Sequence, residues 1–209
     1  MNPVDLPPAL DPLLRSLDLA GVAVFAISGA VVAATRGQTL VTFLFFAMVT
    51  GVGGGTARDL LIGAPVFWIG QNATLLICFA GGFAVWLLPV RLWSGRALLW
   101  LDAAGLAAYA TYGAAKGLAF GVAPLPAMAL GVLTACLGGI VRDVLAGEPS
   151  ILMRPELYVT AAALSAVLVV ALTSLGVAGP IAGFIAFAAG FAIRAGAIWR
   201  GWSLPAYRG

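Results

Sequence analysis

The sequence predicts an all-α integral membrane protein with seven transmembrane helices, arranged as two inverted three-helix repeats plus a seventh helix. Three observations lead there. The 209-residue chain is 62% hydrophobic and only 9% charged, whereas a soluble domain carries about 25% charged residues. Its apolar stretches are long and continuous, which selects helices over the weak alternation of a membrane barrel. A glycine-rich, charge-bearing phrase also occurs twice, as "GVGGGTARDLLIGAP" at 51–65 and "ACLGGIVRDVLAGEP" at 135–149.

Cutting the chain at charges, prolines and glycines gives seven candidate spans, over about 18–35, 39–62, 71–90, 98–117, 124–146, 157–175 and 178–198. Each is close to the roughly 20 residues a bilayer needs. The connections are short, so residues 1–209 read as a single membrane domain. The opening "MNPVDLPPALDPLL" is acidic and proline-rich where a signal peptide has a basic start, so no cleavable signal is expected.

Lys and Arg set the orientation. On the side where the first span begins, the flanks carry Arg15 and Lys116; the opposite side carries Arg36, Arg91, Arg96, Arg154, Arg194, Arg200 and Arg208. The second side is expected to be the cytoplasm. That places the N-terminus outside and the C-terminus inside a cell inner (plasma) membrane. The pI near 9.2 is explained by this topology rather than by nucleic acid.

The doubled phrase belongs to a longer duplication. A constant offset of 84 residues maps Gly54, Gly55, Arg58, Asp59, Leu61, Gly63 and Pro65 onto Gly138, Gly139, Arg142, Asp143, Leu145, Gly147 and Pro149. The same offset carries Asp18 and Gly21 to Asp102 and Gly105, and Gly29 and Gly37 to Gly113 and Gly121. Repeat one covers about 17–90, repeat two about 101–175, and helix seven about 178–198 stands alone. Three spans per unit turn the second copy upside down, an architecture whose functional site lies near the midplane between repeats.

Gly53-Gly54-Gly55 and Gly138-Gly139 fall about two-thirds along the second and fifth spans. Glycine costs about 1 kcal/mol in a helix interior, and irregular backbone survives in a membrane only inside protein or beside water. These clusters are therefore expected to break their helices beside a central pathway; close helix packing is the plainer alternative. Arg58 and Arg142 follow the clusters, and an intramembrane arginine normally faces a partner or water. Asp59 and Asp143 are one residue away, about 100° round the helix, and are not expected to share a face with them. Topology instead pairs Arg58 with Asp18 and Arg142 with Asp102. Capping of the helix N-termini by those two aspartates is compatible with pairing. Ser28, Thr50, Thr56, Tyr109, Thr111, Tyr112 and Thr134 are expected to bond carbonyls of their own helices. Small residues on the first and fourth spans, with Gly21, Gly29, Gly105 and Gly113, suggest faces for self-association.

No histidine is present, the two cysteines Cys78 and Cys136 lie in apolar segments, and no phosphate-binding or nucleophile–base motif occurs. Neither a metal site nor an enzyme is expected. Two copies of Gly-Gly-x-x-Arg-Asp, closing the second and fifth of seven spans in inverted triplets, resemble the prokaryotic TRIC family, the relatives of trimeric intracellular cation channels. The resemblance covers residues 17 to about 198. It implies a homotrimer in membrane lipid with a pore in each subunit, permeable to monovalent cations such as K+. That pore would be lined by helices 2 and 5, kinked at Gly53, Gly54, Gly55, Gly138 and Gly139, with Arg58, Arg142, Asp59 and Asp143 as its charges. Leu137 stands where the first copy has Gly53, so unequal kinks are expected. No cofactor is implied beyond permeant K+ and bound lipid. The rival reading is a secondary transporter of a small zwitterionic solute such as glycine. The sparse polar inventory near the glycines favours the channel.

Overall fold

Lipid offers a peptide group no hydrogen-bond partner, so apolar segments of this length satisfy their backbones internally as helices. The computed structural model describes the backbone of residues 11–205 other than 94, 154 and 155, and the side chains of these except 11–15, 90 and 95. Arg154, Arg208, the side chain of Arg15 and the first ten residues lie outside the described residues. The helices are α1 (Asp11–Thr35), α2 (Leu40–Leu61), α3 (Asn72–Leu87), α4 (Gly95–Ala119), α5 (Pro124–Leu145), α6 (Val159–Ser174) and α7 (Gly179–Arg200). Short 3-10 turns at Val90–Leu92 and Ile151–Met153 interrupt the connections.

Within α1, residues 16–35 are long and apolar enough to cross a membrane unaided, as are α2, α5 and α7. The apolar α3 and α6 are shorter, at 16 residues each, or roughly 24 Å at 1.5 Å per residue.

The two triplets pack as mates. α1 packs on α2 and α3 as α4 packs on α5 and α6, and the triplets meet through α1 against α4 and α2 against α5. α7 lies on α4 and α6. At the centre the Phe25 and Tyr109 rings, one from each repeat, lie 5.2 Å apart. Tyr109 covers Gly21, and Phe25 covers Gly105, where an added Cβ would lie 2.9 Å from the ring. α1 and α4 therefore form the interior of the protomer. Gly29 is pressed on Phe46 and Thr50, and Gly113 on Thr134 and Gly131. The expectation that these small-residue faces serve self-association is overturned: the close approach they allow is spent within one chain.

α2 and α5 end alike. Gly63 (φ 66°) and Gly147 (φ 65°) take left-handed conformations that favour glycine and terminate helices. Ala64 and Glu148 then return N–H bonds of 2.9 Å to the carbonyls of Asp59 and Asp143. Each chain is thus turned back over the charged end of its own helix.

Candidate functional site

The glycine clusters do not break their helices. α2 is one uninterrupted α-helix from Leu40 to Leu61, and α5 from Pro124 to Leu145. Gly54 and Gly138 remove side chains where the two helices touch. A Cβ on Gly54 would collide with the Thr134 carbonyl, and one on Gly138 would lie 2.7 Å from the Thr50 carbonyl. Thr50 and Thr134 are themselves repeat mates, so the contact is reciprocal. Keeping the helices whole leaves no backbone group stranded, and the glycine propensity cost is offset by close packing. Gly55 leaves room for the Phe67 ring, 2.5 Å from an added Cβ, whereas one on Gly53 would meet nothing within 4 Å.

Beyond this crossing a charged centre is buried at each end. In the first, Arg58 is 1% exposed. Its Nη1 lies 3.7 Å from Asp18 Oδ1 and its Nε 2.7 Å from Asp59 Oδ1. Its guanidinium also lies 4.6 Å from the Tyr112 ring centre and 5.5 Å from that of Phe67, a favourable setting for a poorly hydrated cation. Lys116 Nζ donates to the same Asp59 oxygen at 2.7 Å, and the second oxygen of Asp59 accepts the Phe67 N–H at 3.0 Å.

In the second centre, Arg142 Nη1 reaches Asp102 Oδ1 at 2.7 Å and donates to Ser28 Oγ at 2.5 Å. Nε and Nη2 of Arg142 lie 2.9 and 2.8 Å from Asp143 Oδ1. Asp143 Oδ2 accepts the Ile151 N–H at 3.0 Å, the bond that Phe67 makes to Asp59 one repeat earlier. Formal charges cancel in the first centre, across Asp18, Asp59, Arg58 and Lys116. The second retains one negative charge, across Asp102, Asp143 and Arg142. Arg36 and Glu148 pair at its mouth, at 2.5 Å.

The structure thus brings Asp18 to Arg58 and Asp102 to Arg142. It also overturns the exclusion of Asp59 and Asp143 from the arginines. Their Cβ atoms do diverge by about 100°, but an arginine side chain is long enough to swing round the helix and present Nε to its neighbour. Among the polar span residues, Thr56, Thr111 and Thr134 bond carbonyls four residues earlier. Ser28 instead serves Arg142, and Tyr109 donates to the Gly51 carbonyl of another helix at 2.9 Å. Lys116, read from sequence as a flanking charge, is 6% exposed and part of the first centre. Arg194, read the same way, is fully buried and paired with Glu156 at 2.7 Å. Lys116 lies in the last turn of α4 and Arg194 in the final third of α7, as flanking charges do, so neither carried a local signal of burial.

A cavity of about 260 Å³ opens beside each centre. One is lined by Asp18, Phe67, Gln71, Thr74, Tyr112 and Lys116. The other, also about 260 Å³, has Val32, Arg36, Asp102, Arg142, Asp143 and Glu148 in its wall. Asp18 and Asp102, and Lys116 and Val32, are repeat mates, so the cavities are equivalent places at opposite ends. Arg142 lines its cavity; Arg58 is enclosed behind Phe67 and Tyr112.

Fold and centres define an integral membrane protein of inverted three-helix repeats, with a buried charge cluster and an adjoining cavity in each half. A family model described as "Glycine transporter" matches residues 15–89 and again 99–174, once per repeat. A UPF0126 membrane protein of Vibrio cholerae is 35% identical, over 98% of this chain and 87% of its own length. The UPF0126 inner membrane protein YadS of Escherichia coli is 36% identical, over 71% of this chain and 73% of its own. Among solved structures, the TRIC trimeric intracellular cation channel orthologue from Rhodobacter sphaeroides superposes with a TM-score of 0.85 at 40% identity. That match covers 91% of this chain and 99% of that one. A prokaryotic TRIC channel crystallised in 0.5 M KCl gives a TM-score of 0.84 at 26% identity, over 92% and 98% of the two chains. The chain belongs to this family, the prokaryotic TRIC group.

Proposed function

We propose that the protein is a homotrimeric channel for monovalent cations, K+ among them, with one pore in each subunit between α2 and α5. The observation that carries the reading is the pair of equivalent charged cavities at opposite ends, separated by a glycine-lined helix crossing. Likeness to structures described as TRIC cation channels supports it, and the trimer follows the description of one of them. The cavities serve as vestibules. α2 and α5 touch at Gly54 and Gly138, so conduction requires them to part there. Arg58, Arg142, Asp59 and Asp143 hold the ends of these helices, and the residual negative charge beside Asp102 favours cations at that mouth.

The exposed arginines Arg36, Arg91, Arg96 and Arg200 all lie at the Asp102 end, which makes that end cytoplasmic and the N-terminus external. Subunit contacts fall on outward faces, since α1 and α4 are enclosed. The test is single-channel recording of the purified full-length protein in a bilayer across a KCl gradient. Unitary currents reversing toward the K+ equilibrium potential are expected. Saturable uptake of a zwitterion such as glycine without unitary currents would replace the channel with a carrier.

A further inference from the structure

The connection between α5 and α6 supplies one wall of the Asp102 cavity through Glu148, Pro149 and Ile151. Its near end is tied by the Ile151 N–H to Asp143. The far end is tied by α7, the helix outside both repeats. Arg194 of α7 is fully buried, 2.7 Å from Glu156, with its guanidinium 5.4 Å from the Tyr158 ring centre. Glu156 also forms an antiparallel bridge with Ser203, beyond α7. Trp202 seats this returning segment on Gly196, where an added Cβ would lie 2.6 Å from the ring.

Tyr158 connects the tie to the charged centre. It is 1% exposed and its hydroxyl stands over Gly139. An added Cβ there would lie 3.0 Å from the hydroxyl, 3.5 Å from Asp102 Oδ1 and 3.7 Å from Arg142 Nη2. Repeat one has nothing equivalent: the mates of Glu156 and Tyr158 are Asn72 and Thr74, and α7 has no mate. Its connection is held from within the repeat, by Trp68 Nε1 donating to Thr56 Oγ1 at 2.9 Å.

We infer that Arg194 is a positioning residue for the Asp102–Arg142 centre. With Glu156 it latches the α5–α6 connection and Tyr158 over that centre, and so restricts access to the adjoining cavity while leaving the opposite cavity unaffected. The buried guanidinium makes the latch strong, because a buried cation that loses its partner is left uncompensated. Glu156, on the partly exposed side, is the half that can let go. The latch does not depend on what the protein conducts.

Thiol labelling tests it in lipid nanodiscs, where both ends are reachable. In the full-length chain with Cys78→Ala and Cys136→Ala, a single reporter is placed in one cavity (Val32→Cys) or the other (Thr74→Cys). A charged maleimide measures access. Glu156→Gln should speed labelling of the Val32 reporter on the order of tenfold, as a one-decade shift in the latched population would, and leave the Thr74 reporter at its parent rate. Tyr158→Phe keeps the ring against Arg194 and removes only the hydroxyl. It should act in the same direction with a smaller factor, and it decides the matter if Glu156→Gln does not fold. Unchanged rates at Val32, or equal rises at both reporters, would overturn the latch. The readout needs no current, so a failure of conduction and a failure of the latch are told apart.

Discussion

At one end of the molecule Arg58 lies 3.7 Å from Asp18 and shares Asp59 with Lys116. At the other, Arg142 lies 2.7 Å from Asp102, and Ser28 completes its shell. What the ends share is backbone work: glycine at the helix stop, a carboxylate accepting an N–H eight residues on, glycine at the crossing. What differs is the charge and reach of the side chains that finish each cluster. Tyr112 is the repeat mate of Ser28, Lys116 of Val32, and Tyr158 of Thr74. Duplication kept the parts that fold the unit and let diverge the parts that set its electrostatics.

The largest test of that difference removes one acid at each end. Asp102→Asn removes a 2.7 Å buried contact of Arg142, which keeps Asp143, and should cost about 3 kcal/mol, the upper end for a charged hydrogen bond. Asp18→Asn gives up a contact 1 Å longer and should cost about half as much, roughly 1.5 kcal/mol. Melting temperatures in detergent read both. Double variants with Arg142→Gln and Arg58→Gln give the coupling, which should be clearly larger for Asp102–Arg142. Equal losses at the two ends would erase the distinction between them.

Lys116→Met comes next. It keeps the apolar stem but removes a charge-assisted hydrogen bond to buried Asp59, at about 1.5–3 kcal/mol. It also leaves the first centre with one net negative charge, matching the second. If the protein conducts as proposed, any asymmetry of its current–voltage curve in symmetric KCl should shrink. An unchanged curve would mean that Lys116 only holds Asp59 in place.

Much of this was legible because repeated residues constrain each other. An offset that carries Asp18, Arg58, Asp59 and Pro65 together cannot come from composition, and three spans per unit dictate inversion. With that inversion, the pairing of Arg58 with Asp18 and of Arg142 with Asp102 needs only knowledge of which helix ends share a side. The failures had one source, which was reasoning along a helix axis where side-chain length and crossing geometry decide. Asp59 lies one residue from Arg58, yet the guanidinium bends to it. Gly54 read as a break and is instead a contact surface, because what it touches, Thr134, lies 80 residues away. Lys116 and Arg194 read as topology markers, because burial by another helix leaves no local trace.

The crossing itself is the third test. Ala at position 138 would place a Cβ 2.7 Å from the Thr50 carbonyl, and overpacking of that kind costs about 1–3 kcal/mol. Gly54→Ala meets its carbonyl more closely and should fall at the upper end. If either variant melts like the parent, α2 and α5 are not held in backbone contact.

The smallest effect concerns Gly53, where the repeats disagree because its mate is Leu137. No neighbour lies within 4 Å of a Cβ added there, so packing does not ask for glycine. In a helix interior glycine is about 1 kcal/mol less favourable than alanine. Gly53→Ala should therefore leave the melting temperature unchanged or raise it slightly, in contrast to its neighbour Gly54. If α2 parts from α5 to open the pore proposed above, that movement needs backbone freedom near the crossing, where α2 carries one more glycine than α5. Gly53→Ala should accordingly stabilise the protein while lowering the fraction of time its channel is open. Leu137→Gly should do the reverse, loosening α5 and raising that fraction. If Gly53→Ala melts higher and opens as often as the parent, α2 does not bend at this position, and the extra glycine plays no part in gating.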